Sequence, residues 1–200
     1  MGTIAILDYG AGNTRSVYYA LRRLGHEARV TDEAAVLRRA GRIIFPGVGH
    51  AASAMERLQA RGLDKLLPTL TQPVLGICLG LQLMCSHSDE GNVRGMGIFD
   101  VRVKYFPEVL PPHSKLRIPH MGWNSVDDRG SLLLKGIASG TFFYFVHSYF
   151  AETGDGTTAV SEYGIPFSAV MEKENFFATQ FHPEKSGRPG EQVLRNFLEI

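Results

Sequence analysis

The sequence has few cysteines, little net charge and no long apolar run, and each shortage excludes a class of protein. Its two cysteines, Cys78 and Cys85, fit neither the spacing of a Cys-x-x-Cys metal or redox pair nor a disulfide framework. Because 21 basic and 20 acidic residues leave a net charge of +1, no charged surface for nucleic acid or anionic membrane is predicted. No apolar run approaches the roughly 18 residues of a membrane span. We therefore expect a cytoplasmic protein with neither kind of partner.

Apolar residues make up 44% of the 200 residues, which is enough for a sizeable core, and we expect residues 1–200 to form one domain. The first half alternates short apolar runs with amphipathic stretches, a pattern typical of a parallel sheet flanked by helices. Strands are predicted at 3–10, 26–31, 42–47 and 73–77. Helices are predicted at 13–24, 32–40, 51–60 and from residue 79 onward.

The second half changes to strands with little helix between them. Strands are predicted at 96–107, 141–153, 157–164 and 167–181, and a closing helix at 191–198. The segments 107–115 and 119–125 have the composition of loops. The fold class is therefore α/β, with a mainly parallel sheet and additional antiparallel strands in the second half.

Cys78 stands where a predicted strand becomes a helix, between Gly76 and Gly80. This Gly-x-nucleophile-x-Gly spacing is that of a nucleophile elbow, in which glycines permit a sharp turn and the nucleophile points outward. A free thiol is mostly protonated at neutral pH, and a helix N-terminus supplies only part of the stabilisation that a thiolate needs. A nucleophilic Cys78 therefore requires a nearby histidine.

The segment "QFHPEKS" offers the best histidine. Pro183 favours an extended backbone at His182, so His182 and Glu184 should point to the same side and pair. Together with Cys78 they would form a Cys-His-Glu triad. The alternative is that Cys78 is an ordinary core residue and that His-Pro-Glu is a plain turn.

Glycine-rich turns after two predicted strands raise the question of phosphate or oxyanion binding. Gly47, Val48 and Gly49 could present backbone N–H groups to an oxyanion, although an ordinary turn has the same composition. In "DYGAGN", Arg15 occupies the place of the third glycine of a dinucleotide-binding motif, which weakens that interpretation. No Walker-type loop and no convincing zinc site is found, so no metal or cofactor is predicted.

Taken together, several segments resemble the class I glutamine amidotransferases and, among these, the glutaminase subunits of imidazole glycerol phosphate synthase, an enzyme of histidine biosynthesis. The resemblance covers the chain from Asp8 to Lys185 and beyond, and it implies a flavodoxin-like fold. It rests on six segments: "DYGAGN", "FPGVGHAASAM", "GICLGLQLM", "PHMGWN", "FYFVHSYF" and "QFHPEKS".

The resemblance also implies roles for particular residues. It makes Cys78, His182 and Glu184 the catalytic triad and glutamine the substrate. The implied oxyanion site consists of Gly47, Val48, Gly49 and Leu79. The implied glutamine contacts are Gln82, Glu90, Ser148 and Tyr149. Of these, Glu90 has a physical reason of its own, since a carboxylate suits the ammonium group of free glutamine.

A partner protein follows from the same resemblance. The family delivers ammonia to a (β/α)8-barrel cyclase, which the chain lacks, so a heterodimer with such a cyclase is expected. The cyclase converts N'-phosphoribulosyl-formimino-AICAR to imidazole glycerol phosphate and AICAR. The implied interface includes Asn13, Trp123 and Lys185, although Trp123 suits a core position nearly as well.

Two other functions remain open from the residues. One is a different Cys-His-Glu enzyme on the same fold, such as the glutaminase of pyridoxal phosphate synthesis or a γ-glutamyl hydrolase. The other is a catalytically silent binding subunit. We expect Tyr144 and His147 to be structural and Cys85 to be a core residue.

Overall fold

Short apolar strands alternate with helices through the first half of the chain, as the sequence predicts. The computed structural model describes residues 2–200. Its first four strands are β1 (Ile4–Leu7), β2 (Ala28–Thr31), β3 (Arg42–Gly47) and β4 (Val74–Cys78). The helices between and after them are α1 (Thr14–Arg23), α2 (Ala34–Arg39), α3 (Ala51–Gln59), α4 (Leu63–Leu66) and α5 (Leu79–Met84). The short helix α4 and the 3₁₀ turn Leu67–Thr69 that follows it were not predicted.

The second half is dominated by strands, again as predicted. The strands are β5 (Cys85–Ser88), β6 (Val93–Arg94), β7 (Phe99–Tyr105), β8 (His120–Asp128), β9 (Thr141–His147), β10 (Tyr149–Ala151), β11 (Thr157–Glu162), β12 (Pro166–Lys173) and β13 (Phe176–Thr179). The helices are α6 (Phe106–Val109) and α7 (Gly187–Glu199), with a 3₁₀ turn at Pro183–Lys185.

Nine of the strands form one mixed sheet in the order β2-β1-β3-β4-β13-β12-β11-β8-β9. The pairings from β2 to β13 are parallel, and those from β13 to β9 are antiparallel. Since β13 is the fifth parallel strand, this part has the 2-1-3-4-5 order of flavodoxin-like folds. The predicted fold class is confirmed. The remaining strands form a second sheet in the order β10-β7-β5-β6.

Buried apolar residues lie on both faces of the parallel part, which explains its continuous apolar runs. Along β1, Ala5 and Leu7 pack on one face with α2 to α5, whereas Ile4 and Ile6 pack on the other with α1 and α7. The longest helix, α7, has 13 residues. No helix between residues 2 and 200 combines the length and the apolar character that a membrane crossing requires.

Two predicted strands are each divided in the structure. The segment 141–153 forms β9, which pairs with β8 in the large sheet, and β10, which pairs with β7 in the small one. The chain changes sheets at Ser148. The segment 167–181 is a hairpin of β12 and β13 that turns at Glu174, where φ is +53°. Apolar composition alone does not mark such breaks, because both halves of each segment contribute apolar side chains to the core.

The prediction of a loop at 119–125 is wrong, because β8 runs from His120 to Asp128. Its exposed residues include Met121 and Trp123, and its neighbours His120 and Asn124 are polar. The first half of the inward face thus carries the polar residues His120 and Asn124, and only Val126 further along is apolar, which conceals the usual alternation of apolar and polar positions. The predicted loop at 107–115 is interrupted only by α6, which ends at Val109.

Candidate active site

Cys78 ends β4 in a backbone conformation that side chains rarely adopt, with φ +53° and ψ −106°. The two flanking glycines make room for this turn. A Cβ on Gly76 would lie 2.9 Å from the Met84 sulfur, and a Cβ on Gly80 would overlap the carbonyl oxygen of Phe45. Both glycines therefore allow α5 to pack closely on β3 and β4. The strained turn is the nucleophile elbow that the spacing predicts.

The helix after Cys78 is shorter than the sequence suggests. It ends at Met84, and Cys85 begins β5 as a fully buried residue. Cys85 is a core residue, as expected, and burial raises the pKa of its thiol. Because α5 spans only six residues, its dipole contributes little to a thiolate, and the stabilisation must come from side chains near Cys78.

Parallel pairing places the other reactive groups beside Cys78. Gly47 on β3 is directly opposite Cys78, and Thr179 on β13 is opposite Ile77. The chain beyond Thr179 thus passes Cys78 on the side away from Gly47. It carries Gln180, whose Nε2 lies 3.6 Å from Cys78 Sγ, and then His182.

His182 and Glu184 form a buried pair, with 2.9 Å between Nδ1 and Oε1 and side-chain exposures of 2% and 1%. The predicted pairing and the predicted extended backbone at His182 are confirmed, but the segment does not stay extended, because Pro183–Lys185 is a 3₁₀ turn. That turn brings Glu184 back to the imidazole of His182. The backbone of His182 is held by its N–H bond to Tyr144 O, 2.9 Å, and by the Ser186 hydroxyl, which donates to His182 O at 2.7 Å.

Charge favours the protonated form of His182. Burial alone lowers the pKa of His182, but the Cys78 thiolate and the Glu184 carboxylate outweigh burial and raise it to about 10. The Nε2 atom makes no well-aligned hydrogen bond within residues 2–200. One nitrogen of the imidazole is therefore held by Glu184, and the other remains available to exchange a proton beside Cys78.

The segment that follows β3 lies against the turn at Cys78. A Cβ on Gly47 would lie 2.7 Å from both Gly80 N and Leu79 Cβ, so only glycine permits this approach. Gly49 has a φ of +109°, and Val48 is exposed. The four residues predicted to form an oxyanion site are thus neighbours around Cys78.

A cavity of about 300 Å³ opens beside Cys78 and His182. This volume is at the lower end of the range for small-molecule sites. The other predicted residues that line it are Val48, Gly49, Leu79, Gln82, Glu90, Ser148 and Tyr149. The structure therefore brings together the sulfur, the imidazole and the predicted glutamine contacts in one place.

Gln82 is already committed to hydrogen bonds inside the protein. Its Nε2 donates to Tyr149 O at 2.8 Å and to Gln180 Oε1 at 3.1 Å. Both amide protons are thereby used, so a substrate could take only the Oε1 atom as an acceptor. Gln82 consequently also ties α5 to the chain at Tyr149.

Glu90 joins the cavity wall to the segment after β3. Its Oε2 accepts a hydrogen bond from Ala51 N at 2.7 Å, at the start of α3 and directly after the residues 47–50. Burial raises the pKa of Glu90, while the Ala51 bond and His50 act in the opposite direction. A cation bound at Glu90 would therefore be close to the predicted oxyanion segment.

Sequence reasoning missed Gln180, Val146, Pro119 and His147 as neighbours of the site. Gln180 is fully buried beside Cys78, and the Val146 carbonyl accepts a long bond, 3.9 Å, from Cys78 Sγ. The signal for Gln180 is present, since its amide follows Thr179 in the mainly apolar run "FFATQF" just before His182. The position of Val146 depends on the break between β9 and β10, which no local pattern marks.

The predicted partner residues lie outside the cavity. Trp123 is 55% exposed, so the alternative of a core position is wrong. It pairs across the strands with Tyr144, and Lys185 Nζ lies 6.0 Å from the ring of Tyr144. Asn13 caps α1 by accepting a bond from Ser16 N at 3.3 Å. Trp123, Tyr144 and Lys185 therefore form one surface cluster.

The site offers a thiol, a paired imidazole, glycine backbone and a cavity carboxylate. This set suits attack on a carbonyl group and proton transfer to a leaving group. In the part of the chain that the structure describes, no three His, Cys, Asp or Glu side chains are grouped to hold a metal ion.

Known proteins are similar to this chain in sequence or in fold. The family model described as glutamine amidotransferase class-I matches residues 5–200. Imidazole glycerol phosphate synthase subunit HisH of Bacteroides thetaiotaomicron is 52% identical over 197 residues, covering 98% of this chain and 99% of the relative. The protein of the same name from Dechloromonas aromatica is 48% identical over 206 residues, covering 98% and 96%.

A solved structure agrees on the fold. The crystal structure of a glutamine amidotransferase superposes with a TM-score of 0.74 at 19% identity, covering 99% of this chain and 98% of that one. At this identity the likeness concerns the fold alone. The family match and the HisH relatives span nearly the whole chain, and the chain therefore belongs to the class I glutamine amidotransferases, within the HisH family.

Proposed function

We propose that this protein is the glutaminase subunit of an imidazole glycerol phosphate synthase. The observation that carries the proposal is the meeting of Cys78, on its strained turn, with the buried pair of His182 and Glu184 at one cavity. The names of its HisH relatives support the assignment to this synthase. The proposed enzyme acts as one cytoplasmic domain, hydrolysing glutamine to glutamate and ammonia without a cofactor.

The chemistry begins with Cys78 as thiolate and His182 as imidazolium. The sulfur adds to the side-chain amide carbon of glutamine, and backbone N–H groups among Gly47, Val48, Gly49 and Leu79 stabilise the resulting oxyanion. The carbon–nitrogen bond then breaks, and His182 Nε2 gives its proton to the departing nitrogen, which leaves as ammonia. A glutamyl thioester remains on Cys78.

Water completes the cycle. Neutral His182 removes a proton from water, and the resulting hydroxide attacks the thioester carbon. The carbon–sulfur bond breaks, which restores the thiolate and imidazolium, and the new carboxylic acid loses its proton to solvent and leaves as glutamate. Glu184 holds the Nδ1 side of the ring throughout, so that Nε2 keeps facing the reacting atoms.

Glutamine also needs contacts for its two backbone charges. The carboxylate of Glu90 would accept the α-ammonium group. Groups at Ser148 and Tyr149, and the Oε1 atom of Gln82, would contact the rest of the substrate. Because Glu90 also holds Ala51 N, substrate binding and the position of the oxyanion segment would be linked.

Ammonia would be used by a second polypeptide. We propose a heterodimer with a (β/α)8-barrel cyclase that converts N'-phosphoribulosyl-formimino-AICAR to imidazole glycerol phosphate and AICAR. Trp123, Lys185 and Asn13 would lie in the interface. Exposed Trp123 and Met121 on β8 support this placement, because interfaces concentrate exposed aromatic residues and methionine.

The test is glutamate release from glutamine by the purified chain, alone and with a histidine-pathway cyclase and its nucleotide ligand. We expect slow release alone and strong stimulation by the liganded cyclase. Rapid unassisted release from glutamine or γ-glutamyl peptides would instead indicate an independent hydrolase. No release under any condition would indicate a silent binding subunit.

Trp123→Ala is expected to weaken binding of the cyclase on the order of 10- to 100-fold, because a buried tryptophan is often a dominant contact at an interface. The measurement is titration calorimetry of the two proteins. Val30→Ala is the matched control, since Val30 is also exposed and apolar but lies on β2, at the opposite edge of the nine-stranded sheet. Equal affinity of both variants would remove Trp123 from the interface.

A further inference from the structure

The proposed reaction leaves a buried pair of histidines unused. His120 on β8 and His147 on β9 lie directly opposite each other, with 3.0 Å between His120 Nδ1 and His147 Nε2. They are 4% and 6% exposed. A buried histidine pair requires one specific arrangement of protons, since two N–H groups or two lone pairs facing each other would repel.

The groups at the two ends of the pair determine that arrangement. His147 Nδ1 lies 2.8 Å from the carbonyl oxygen of Tyr149, which can only accept, so Nδ1 of His147 must donate. In the neutral ring Nε2 of His147 is then an acceptor, and Nδ1 of His120 must donate to it. Nε2 of His120 is left as an acceptor for the Asn124 amide nitrogen at 3.3 Å. Asn124, His120, His147 and the Tyr149 carbonyl thus form a row of hydrogen bonds. Each group in this row donates to the next, from Asn124 to Tyr149.

The surroundings keep both rings neutral. Burial lowers the pKa of His120 to about 4. Burial, together with the neighbouring histidines, lowers the pKa of His147 to about 3. A proton added at either ring would replace an acceptor by a donor and break the row. The arrangement is therefore stable at neutral pH.

The row connects two parts of the surface. His147 and Tyr149 line the cavity beside Cys78, whereas His120 and Asn124 line a separate groove next to Trp123. The Tyr149 carbonyl at its end also accepts the bond from Gln82. Two donors thus hold this carbonyl, one from α5 and one from the histidine row.

We propose that His120 and His147 are positioning residues, which hold the Tyr149 carbonyl in the wall of the glutamine cavity and tie it to β8, the strand that carries Trp123. The proposal rests on the proposed function, since it assigns these residues to the same glutamine site. Neither ring exchanges a proton with substrate. The two rings fix the position of the cavity wall. Because they also attach this wall to β8, its position depends on whether a partner contacts the outer face of β8.

Matched variants of His147 test the positioning role. In His147→Leu the Tyr149 carbonyl loses one donor, and we expect the KM for glutamine in the cyclase complex to rise at least 10-fold with kcat changed less than about 3-fold. In His147→Asn the amide nitrogen can replace Nδ1 as the donor, and we expect it to recover at least half of the loss on a logarithmic scale. Equal KM values for wild type and His147→Leu, or no recovery by asparagine, would overturn the positioning role.

A variant of His120 tests the connection to β8. His120→Phe keeps a ring beside Phe145 and Tyr163 but removes both hydrogen bonds. We expect the stimulation of kcat/KM by the liganded cyclase to fall at least 5-fold, while titration shows an unchanged affinity for the cyclase. Unreduced stimulation would overturn the connection.

The proton arrangement can be measured without any activity. Long-range ¹H–¹⁵N correlation spectra of the isolated chain at pH 7 should show both rings neutral and protonated at Nδ1, which is the less common tautomer of free histidine. A proton at Nε2 of either ring would overturn the proposal even if a variant failed to fold. Absence of wild-type glutamine turnover would refute the proposed function instead, and the spectra would still decide the arrangement of the pair.

Discussion

Cys78→Ala should lower glutamine hydrolysis by a factor on the order of 10⁴ or more, because loss of a catalytic nucleophile removes the covalent route altogether. The measurement is glutamate release in the cyclase complex. Cys85→Ala is the matched control, since Cys85 is a fully buried thiol outside the cavity. Comparable losses in the two variants, or full activity of Cys78→Ala, would contradict a nucleophilic role for Cys78.

Cys78→Gly should be equally inactive but more stable than Cys78→Ala. With φ at +53° and ψ at −106°, any residue with a Cβ is strained at this position, at a cost of about 1 to 3 kcal/mol, whereas glycine is not. At ordinary positions a glycine variant is less stable than an alanine variant, because glycine loses more conformational freedom on folding. Removal of the Cβ at residue 78 is thus expected to release the backbone strain and to raise the free energy of unfolding.

Urea unfolding of both Cys78 variants measures this difference. Ala35→Gly provides the reference, because Ala35 is an exposed residue within α2 and should lose about 0.5 to 1 kcal/mol on replacement by glycine. If Cys78→Ala proved more stable than Cys78→Gly, the backbone at Cys78 would not be strained in solution.

His182→Leu should destabilise the protein by about 3 to 5 kcal/mol in addition to abolishing activity. The reason is that Glu184, with its side chain 1% exposed, would remain buried without a cationic partner, and an uncompensated buried charge is far more costly than an intact pair. The matched variant is His182→Leu combined with Glu184→Gln, which removes the orphaned charge. We expect the double variant to be more stable than His182→Leu alone.

Chemical unfolding of wild type, His182→Leu, Glu184→Gln and the double variant at pH 7 decides the point. Additive effects of the two substitutions would mean that the pair makes no net interaction. A double variant as unstable as the single one would mean that the loss comes from packing around the imidazole and not from the charge of Glu184.

The charge of His182 makes stability depend on pH. Cys78 and, after it, Glu184 raise the pKa of His182 in the folded protein from 6.5 to about 10, so folding favours the protonated ring. Its contribution is complete below pH 6.5 and is lost as the pH rises toward 10. The advantage of wild type over the double variant should therefore shrink between about pH 6.5 and 9.5, as urea unfolding at several pH values would reveal. An advantage that grows with pH would contradict a raised pKa.

Local patterns predicted the parallel half of the fold well. The runs at 42–47 and 73–77 are β3 and β4 nearly to the residue, since strands covered on both faces must be apolar throughout. The Gly-x-Cys-x-Gly spacing likewise predicted the strained turn at Cys78. These features depend on residues that are adjacent in sequence and on whether both faces of a strand are buried. The residue types reflect both.

Long-range pairings could not be predicted in the same way. The sequence predicts a loop in place of the first part of β8 because the buried positions of this strand include His120, whose ring nitrogens are satisfied only by partners that the fold brings to it. The break at Ser148 arises because two different sheets need β9 and β10. Gln180 comes beside Cys78 only because β13 pairs with β4.

Sequence patterns alone therefore establish the kinds of chemical groups, the short elements that carry them and the family to which they belong. The three-dimensional fold establishes which of these groups meet. Parallel pairing of β3, β4 and β13 brings Gly47, Cys78 and the chain leading to His182 to one sheet edge, and a 3₁₀ turn brings Glu184 to the imidazole. The physical reason is that reaction and recognition depend on distances of a few ångströms, which are set by strand register and buried hydrogen bonds. Sequence patterns indicate only which residues are buried.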